Sequence, residues 1–133
     1  MAANAVYLDS SALVKLAVRE TESEALRRYL RRRKVWVSSA IARIEVLRAL
    51  LAAGADAVQA GREILSKCDL VRVNDRLLNA AGILQPKELR SLDAIHLVTA
   101  GFLGADLLEL VTYDERMADA ARTLGHRVAS PFR

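Results

Sequence analysis

One cysteine, Cys68, stands in a chain of 133 residues. It can form neither an intrachain disulfide nor a Cys-based zinc site, which fits a reducing compartment, so a cytoplasmic protein is expected. Aromatic residues make up only 5% of the chain. That is too few for a platform on which single-stranded bases stack, so contacts to nucleic acid should fall mainly on phosphates. With two prolines, six glycines and no biased tract, nothing resembles a linker or repeat, and residues 1–133 are expected to form one domain. The longest apolar candidate, from Phe102 to Val111, is broken by Asp106 and Glu109, well short of the roughly 18 residues of a membrane span. No basic segment followed by an apolar one opens the chain, so no export signal is expected.

What the chain does have is an ordinary globular balance, 53% hydrophobic and 27% charged, with a formal net charge of +4. Of its 20 basic residues 16 are arginine, the side chain whose planar fork suits phosphate and carboxylate. Short apolar runs at Val6–Leu8, Val35–Val37, Leu70–Val73, Leu110–Thr112 and Arg127–Ala129 read as strands without alternation. Between them lie helix-period stretches with start and stop signals. Capping boxes at Thr21/Glu24 and Asp56/Gln59, caps at Ser38 or Ser39, Asn74 or Asp75, and Ser91, and stops at Gly54 and Gly125 mark the helices. The helix after the second strand has an apolar stripe of Ile41, Ile44, Leu47 and Leu51. Strands of this kind separated by helices predict an α/β fold, a three-layer α/β/α sandwich around a parallel sheet of four to five strands.

In such sheets ligands bind beyond the carboxyl ends of the strands. Asp9 follows the first strand and Asp114 the fourth, Glu45 lies early in the helix after the second, and Asp93 opens a nearly all-apolar helix. Four carboxylates drawn together repel one another unless a cation sits among them, and oxygen-only donors suit Mg²⁺ or Mn²⁺. Each acid also has a simpler explanation. Asp9 and Asp114 can cap the helices that follow them, Asp93 suits a helix dipole, and Glu45 can pair with Arg48 on a solvated face. Asp75 holds an equivalent position after the third strand, so placement alone does not select the site. His96, three residues beyond Asp93, is better explained by a hydrogen bond to a carboxylate or carbonyl than by metal ligation. The basic run containing Arg27, Arg28, Arg31 and Arg32 is a candidate RNA or partner surface, although a helix C-terminus favours cations in any case.

Four blocks carry a family pattern: Tyr7 to Leu16 (YLDSSALVKL), Ala42 to Val46 (ARIEV), Leu92 to Leu97 (LDAIHL) and Val111 to Asp114 (VTYD). In order and spacing they resemble the PIN-domain ribonucleases, in particular the VapC-type toxins of bacteria and archaea, over nearly the whole chain. The resemblance implies that Asp9, Glu45, Asp93 and Asp114 bind Mg²⁺ or Mn²⁺ for phosphodiester hydrolysis of RNA by metal-activated water. Ser11 and Thr112 match hydroxyl residues that orient the carboxylates or waters, and His96 is a family companion of the third block without being a ligand. It also implies a small antitoxin partner and a homodimer. Arg116 departs from the pattern, standing where some PIN domains carry a further acid, which bears on whether a second metal is fully liganded. The alternative expectation is a noncatalytic RNA-binding or protein-interaction module on the same fold; a phosphatase of the haloacid-dehalogenase type would need an Asp where Ser11 stands.

Overall fold

The computed structural model describes residues 3–132. Its five strands are β1 (Ala5–Leu8), β2 (Val35–Ser39), β3 (Asp69–Val71), β4 (Leu107–Val111) and β5 (Val128–Ala129). They form one sheet in the order β3-β2-β1-β4-β5 with every pairing parallel. The seven α-helices of the described residues are α1 (Ser10–Ala17), α2 (Ser23–Leu30), α3 (Ala42–Leu50), α4 (Ala55–Ser66), α5 (Asp75–Gly82), α6 (Ser91–Phe102) and α7 (Glu115–Thr123).

Because side chains alternate across a strand, β1 feeds both faces of the sheet and is fully buried. Val6 and Leu8 pack with α1 to α4, burying Leu13, Leu26, Val46 and Leu50. Ala5 and Tyr7 point the other way, against Leu97 and Ala100 of α6 and Met117 and Ala121 of α7. A smaller cluster joins Leu77 of α5 to Ile95 and Val98 of α6. Helices on both faces of a parallel sheet make the expected three-layer sandwich. The order also places β1 between β2 and β4, so the chain ends of these three strands meet at the centre of one sheet edge, where the strand order reverses and ligand crevices form.

Several local expectations are corrected. Neither capping box forms: α2 starts at Ser23 behind Glu22 and α4 at Ala55 behind Gly54, neither with a side-chain cap. Ser23 is instead buried, accepting from the Glu20 amide and donating to the Val18 carbonyl, which ties the α1–α2 turn together. Gly54 holds a positive φ of 100°, the backbone freedom that ends one helix and starts the next. Ser91 is the first residue of α6 rather than its cap, a place taken by Arg90. Asn74, not Asp75, caps α5 through the Leu77 amide at 2.9 Å. The α3 stripe is also shifted: Ala42, Val46 and Leu50 are buried, while Ile44 and Leu51 are 65% and 58% exposed. This helix is apolar on two faces, and packing against α1 and α4 selects the one bearing the smaller Ala42.

Candidate active site

Asp9 ends β1 and caps α1 in one step. Its extended backbone turns the chain into the helix while Oδ1 accepts from the Ala12 amide at 3.0 Å and from Ser11 Oγ at 2.6 Å. Thr112 Oγ1, at the end of β4, donates to Oδ2 at 2.5 Å. The same two hydroxyls accept backbone amides of the next loop, Tyr113 onto Ser11 and Asp114 onto Thr112. Thus Ser11 and Thr112 lock the carboxylate and the β4–α7 loop to one another. Asp9 is only 3% exposed. Burial raises its carboxyl above the usual value despite the three donors, so the anion is held under strain.

Asp114 likewise caps its helix, accepting from the amides of Arg116 and Met117 at 2.9 and 3.3 Å. In both positions the simpler explanation and the functional one coincide, since a cap also fixes where the acid points. For Glu45 they do not. The ion pair with Arg48 is absent among the described residues; Glu45 Oε1 instead faces Ser10 Oγ and His96 Nε2, each at 2.7 Å. His96 is buried, and its Nδ1 lies 2.6 Å from the Tyr7 hydroxyl. Burial pushes the Tyr7 phenol far up, so it stays protonated and donates to Nδ1, leaving Nε2–H to donate to the carboxylate. A chain of hydrogen bonds therefore runs from the core strand to the acid. Burial alone would raise the Glu45 carboxyl, but the bonds from His96 and Ser10 outweigh it and hold the group below its usual value.

Two consequences follow for stability. The Glu45 contribution is complete above pH 4.5 and is lost as pH falls through the lowered folded value, a loss that Glu45→Gln should abolish in acid unfolding curves. His96→Leu leaves a buried phenol without its acceptor and should cost about 2 to 3 kcal/mol in denaturant titration.

Asp93, in the first turn of α6, completes the set. Glu45, Asp93 and Asp114 line one open depression of about 640 Å³, together with Arg90, Glu115 and Arg116. Partial burial raises the Asp93 carboxyl, and the negative charges of Asp114, Glu45 and Asp9 raise it further. Asp93 thus feels the charge of the other three acids. Yet among the described residues no three His, Cys, Asp or Glu side chains form a group poised to hold an ion. An oxygen-only donor set with unbalanced negative charge fits Mg²⁺ or Mn²⁺, since Mg²⁺ keeps several waters and takes one or two carboxylates rather than a complete protein cage.

The basic run lies elsewhere. Arg31 and Arg32 follow α2 and immediately precede β2, at the end of the parallel sheet opposite the acids, with Arg28 exposed one turn earlier and Arg27 reaching the Leu16 carbonyl at 3.3 Å. Sequence reasoning did not find Ser10 or Tyr7. Ser10 adjoins Asp9, but nothing in the spacing shows that it meets Glu45.

Comparison with known proteins bears on the fold and the kinship of the chain. Residues 6–123 match the PIN domain family. Ribonuclease VapC46 of Mycobacterium tuberculosis is 64% identical over 127 residues, covering 96% of this chain and 98% of the relative. Ribonuclease VapC35 of the same species is 39% identical over 130 residues, with 95% and 96% covered. Among solved structures, M. tuberculosis VapC20, described as a Sarcin-Ricin loop cleaving toxin, superposes with a TM-score of 0.72 at 17% identity, covering 86% of this chain and 94% of that one. A toxin-antitoxin complex from Klebsiella pneumoniae gives 0.69 at 19% identity, covering 96% and 98%. At these identities the structures speak to the fold, whereas the sequence matches speak to kinship. The chain belongs to the PIN-domain family, in its VapC ribonuclease branch.

Proposed function

We propose that this protein is a Mg²⁺- or Mn²⁺-dependent endoribonuclease acting as a VapC-type toxin in the cytoplasm, its 133 residues forming one catalytic domain. The observation that carries the reading is the gathering of Glu45, Asp93 and Asp114 on one depression, with their charges and that of Asp9 converging on Asp93. Asp9, Glu45, Asp93 and Asp114 would hold the metal. When bound, the ion supplies positive charge at the phosphoryl oxygens and makes water a stronger nucleophile. The chain's own part is to fix the acids in advance: Ser11 and Thr112 orient Asp9, Ser10 and His96 orient Glu45, and the α7 amides orient Asp114. One of these carboxylates accepts the proton of the attacking water. A noncatalytic binding module would have no use for acids that repel its RNA.

The toxin-antitoxin complex among the structural neighbours supports a further part of the reading, a small cognate antitoxin; a homodimer is the other part. Ile44, exposed on α3, Leu51, exposed just beyond its end, and the arginines at the opposite sheet end offer surfaces for them. An antitoxin guanidinium placed among the acids would replace the metal's charge and fork onto two carboxylates. Expression of the free protein should arrest growth and yield mapped RNA ends, and co-expression with the adjacent small gene should suppress both. Light scattering should give a dimer for the free protein. Unaltered growth together with intact RNA would refute the toxin reading.

A further inference from the structure

Arg90 and Arg116 occupy places that stability does not favour. Arg90 is the N-cap residue of α6 and makes no side-chain cap, where Ser, Asp or Asn would satisfy the free amides. Arg116 is the second residue of α7, where the positive end of the helix dipole opposes a cation. Both side chains are exposed, and among the described residues neither guanidinium makes a hydrogen bond or ion pair. They come from different helices to the same place. With Asp93 they line both the acidic depression and a second one of about 490 Å³ beside it, whose wall includes Pro86, Leu89 and Ala120 together with the acids Glu88 and Asp119. The ridge between the two thus carries two unpaired forks beside an acid of the candidate site.

We propose that Arg90 and Arg116 hold the RNA phosphate next to the scissile one, so that the flanking nucleotide lies over the second depression. The inference rests on the ribonuclease reading and names how that site takes its substrate. An acid-lined site repels the phosphates it must receive, and a divalent ion answers only for those it touches. Neighbouring phosphates need their own cations, and a planar guanidinium pairs with two phosphoryl oxygens at once. The basic run at Arg31 and Arg32 stands at the far end of the sheet and cannot serve there. Arg90 and Arg116 are positioning residues: they fix the strand across the acids and take no part in the chemistry.

The test uses the whole protein with Arg90→Gln, Arg116→Gln, the double variant, and as control Arg62→Gln, exposed on α4 and outside both depressions. A fluorescent single-stranded RNA in chelator, where the site should be silent, reports affinity across a KCl series by anisotropy. Each single variant should bind about 3- to 10-fold more weakly, and the double variant should also reduce the slope of log affinity against log salt by about 0.7, the value for one lost single-strand phosphate contact. KM for cleavable RNA should rise more than kcat falls, metal affinity should hold, and the thermal midpoint in chelator should stay or rise. Arg62→Gln should bind as the wild type does. Unchanged affinity and salt slope, in variants of a wild type that binds and cleaves RNA, would overturn the inference and leave the ribonuclease reading standing. So would a lowered midpoint with RNA binding intact, which would make the arginines counterions of the acids, or a loss confined to antitoxin binding. A wild type that neither binds nor cleaves RNA with Mg²⁺ would remove the ribonuclease reading and this inference with it.

Discussion

Asp93→Asn is expected to slow RNA cleavage by about a thousandfold or more while raising the thermal midpoint of the metal-free protein. The first effect follows from the loss of a charged ligand: several kcal/mol of transition-state charge stabilisation is several powers of ten in rate. The second follows from repulsion. Partial burial and then the charges of Asp114, Glu45 and Asp9 raise the Asp93 carboxyl, so its ionised form is disfavoured in the folded state. The amide keeps the shape without the charge. Because Asp93 is only partly buried and solvent screens it, the gain should be no more than about 1 kcal/mol, a few degrees in a chain of this length. Added Mg²⁺ should stabilise the wild type more than the variant, since an ion that binds only the folded protein acts by mass action. If Asp93 served the helix dipole alone, the same substitution would lower the midpoint and metal would make no difference.

Thr112→Val should destabilise the protein by about 2 kcal/mol. The replacement keeps the volume and removes the hydroxyl that donates to Asp9 Oδ2 and accepts the Asp114 amide. A buried carboxylate then loses one of its charge-assisted bonds, each worth roughly 1.5 to 3 kcal/mol. The defect should depend on pH in a definite direction. Burial already raises the Asp9 carboxyl above 3.8, so the folded state takes up its proton at higher pH than the unfolded chain. The penalty for the bare anion is therefore complete above the folded value and is relieved as pH falls toward 3.8. Denaturant unfolding of the two proteins at a series of pH values should show their stabilities converging on the acid side, and a difference independent of pH would mean that the hydroxyl packs rather than bonds.

Much of this was legible in the residues. The short unalternating strands gave the parallel sheet, and the residue after each strand gave Asp9 and Asp114, because a strand followed by a helix must expose its cap at the ligand-binding edge. Ends of elements were less legible. Leu107 and Leu108 belong to β4, although they continue an apolar run that starts in α6, because a helical turn at Gly104–Asp106 separates the two elements. Capping boxes at Thr21 and Asp56 matched a pattern of spacing, yet Ser23 found a better use inside the α1–α2 turn. The α3 helix offered two apolar faces, and which one is buried depends on α1 and α4, not on the helix itself. Glu45 was the least legible of the acids. Its neighbours along the helix suggested Arg48, whereas its partners stand 35 and 51 residues away, and only the meeting of α1, α3 and α6 supplies them.

The most direct measurement is cleavage of a looped RNA by purified protein freed of any antitoxin, first in chelator and then along a Mg²⁺ titration, with folded Asp93→Asn in parallel. The wild type should be silent in chelator and regain cleavage as Mg²⁺ is added, and the variant should remain inactive throughout. Full cleavage in chelator, or undiminished cleavage by the folded variant, would contradict a metal-dependent site built on these four acids.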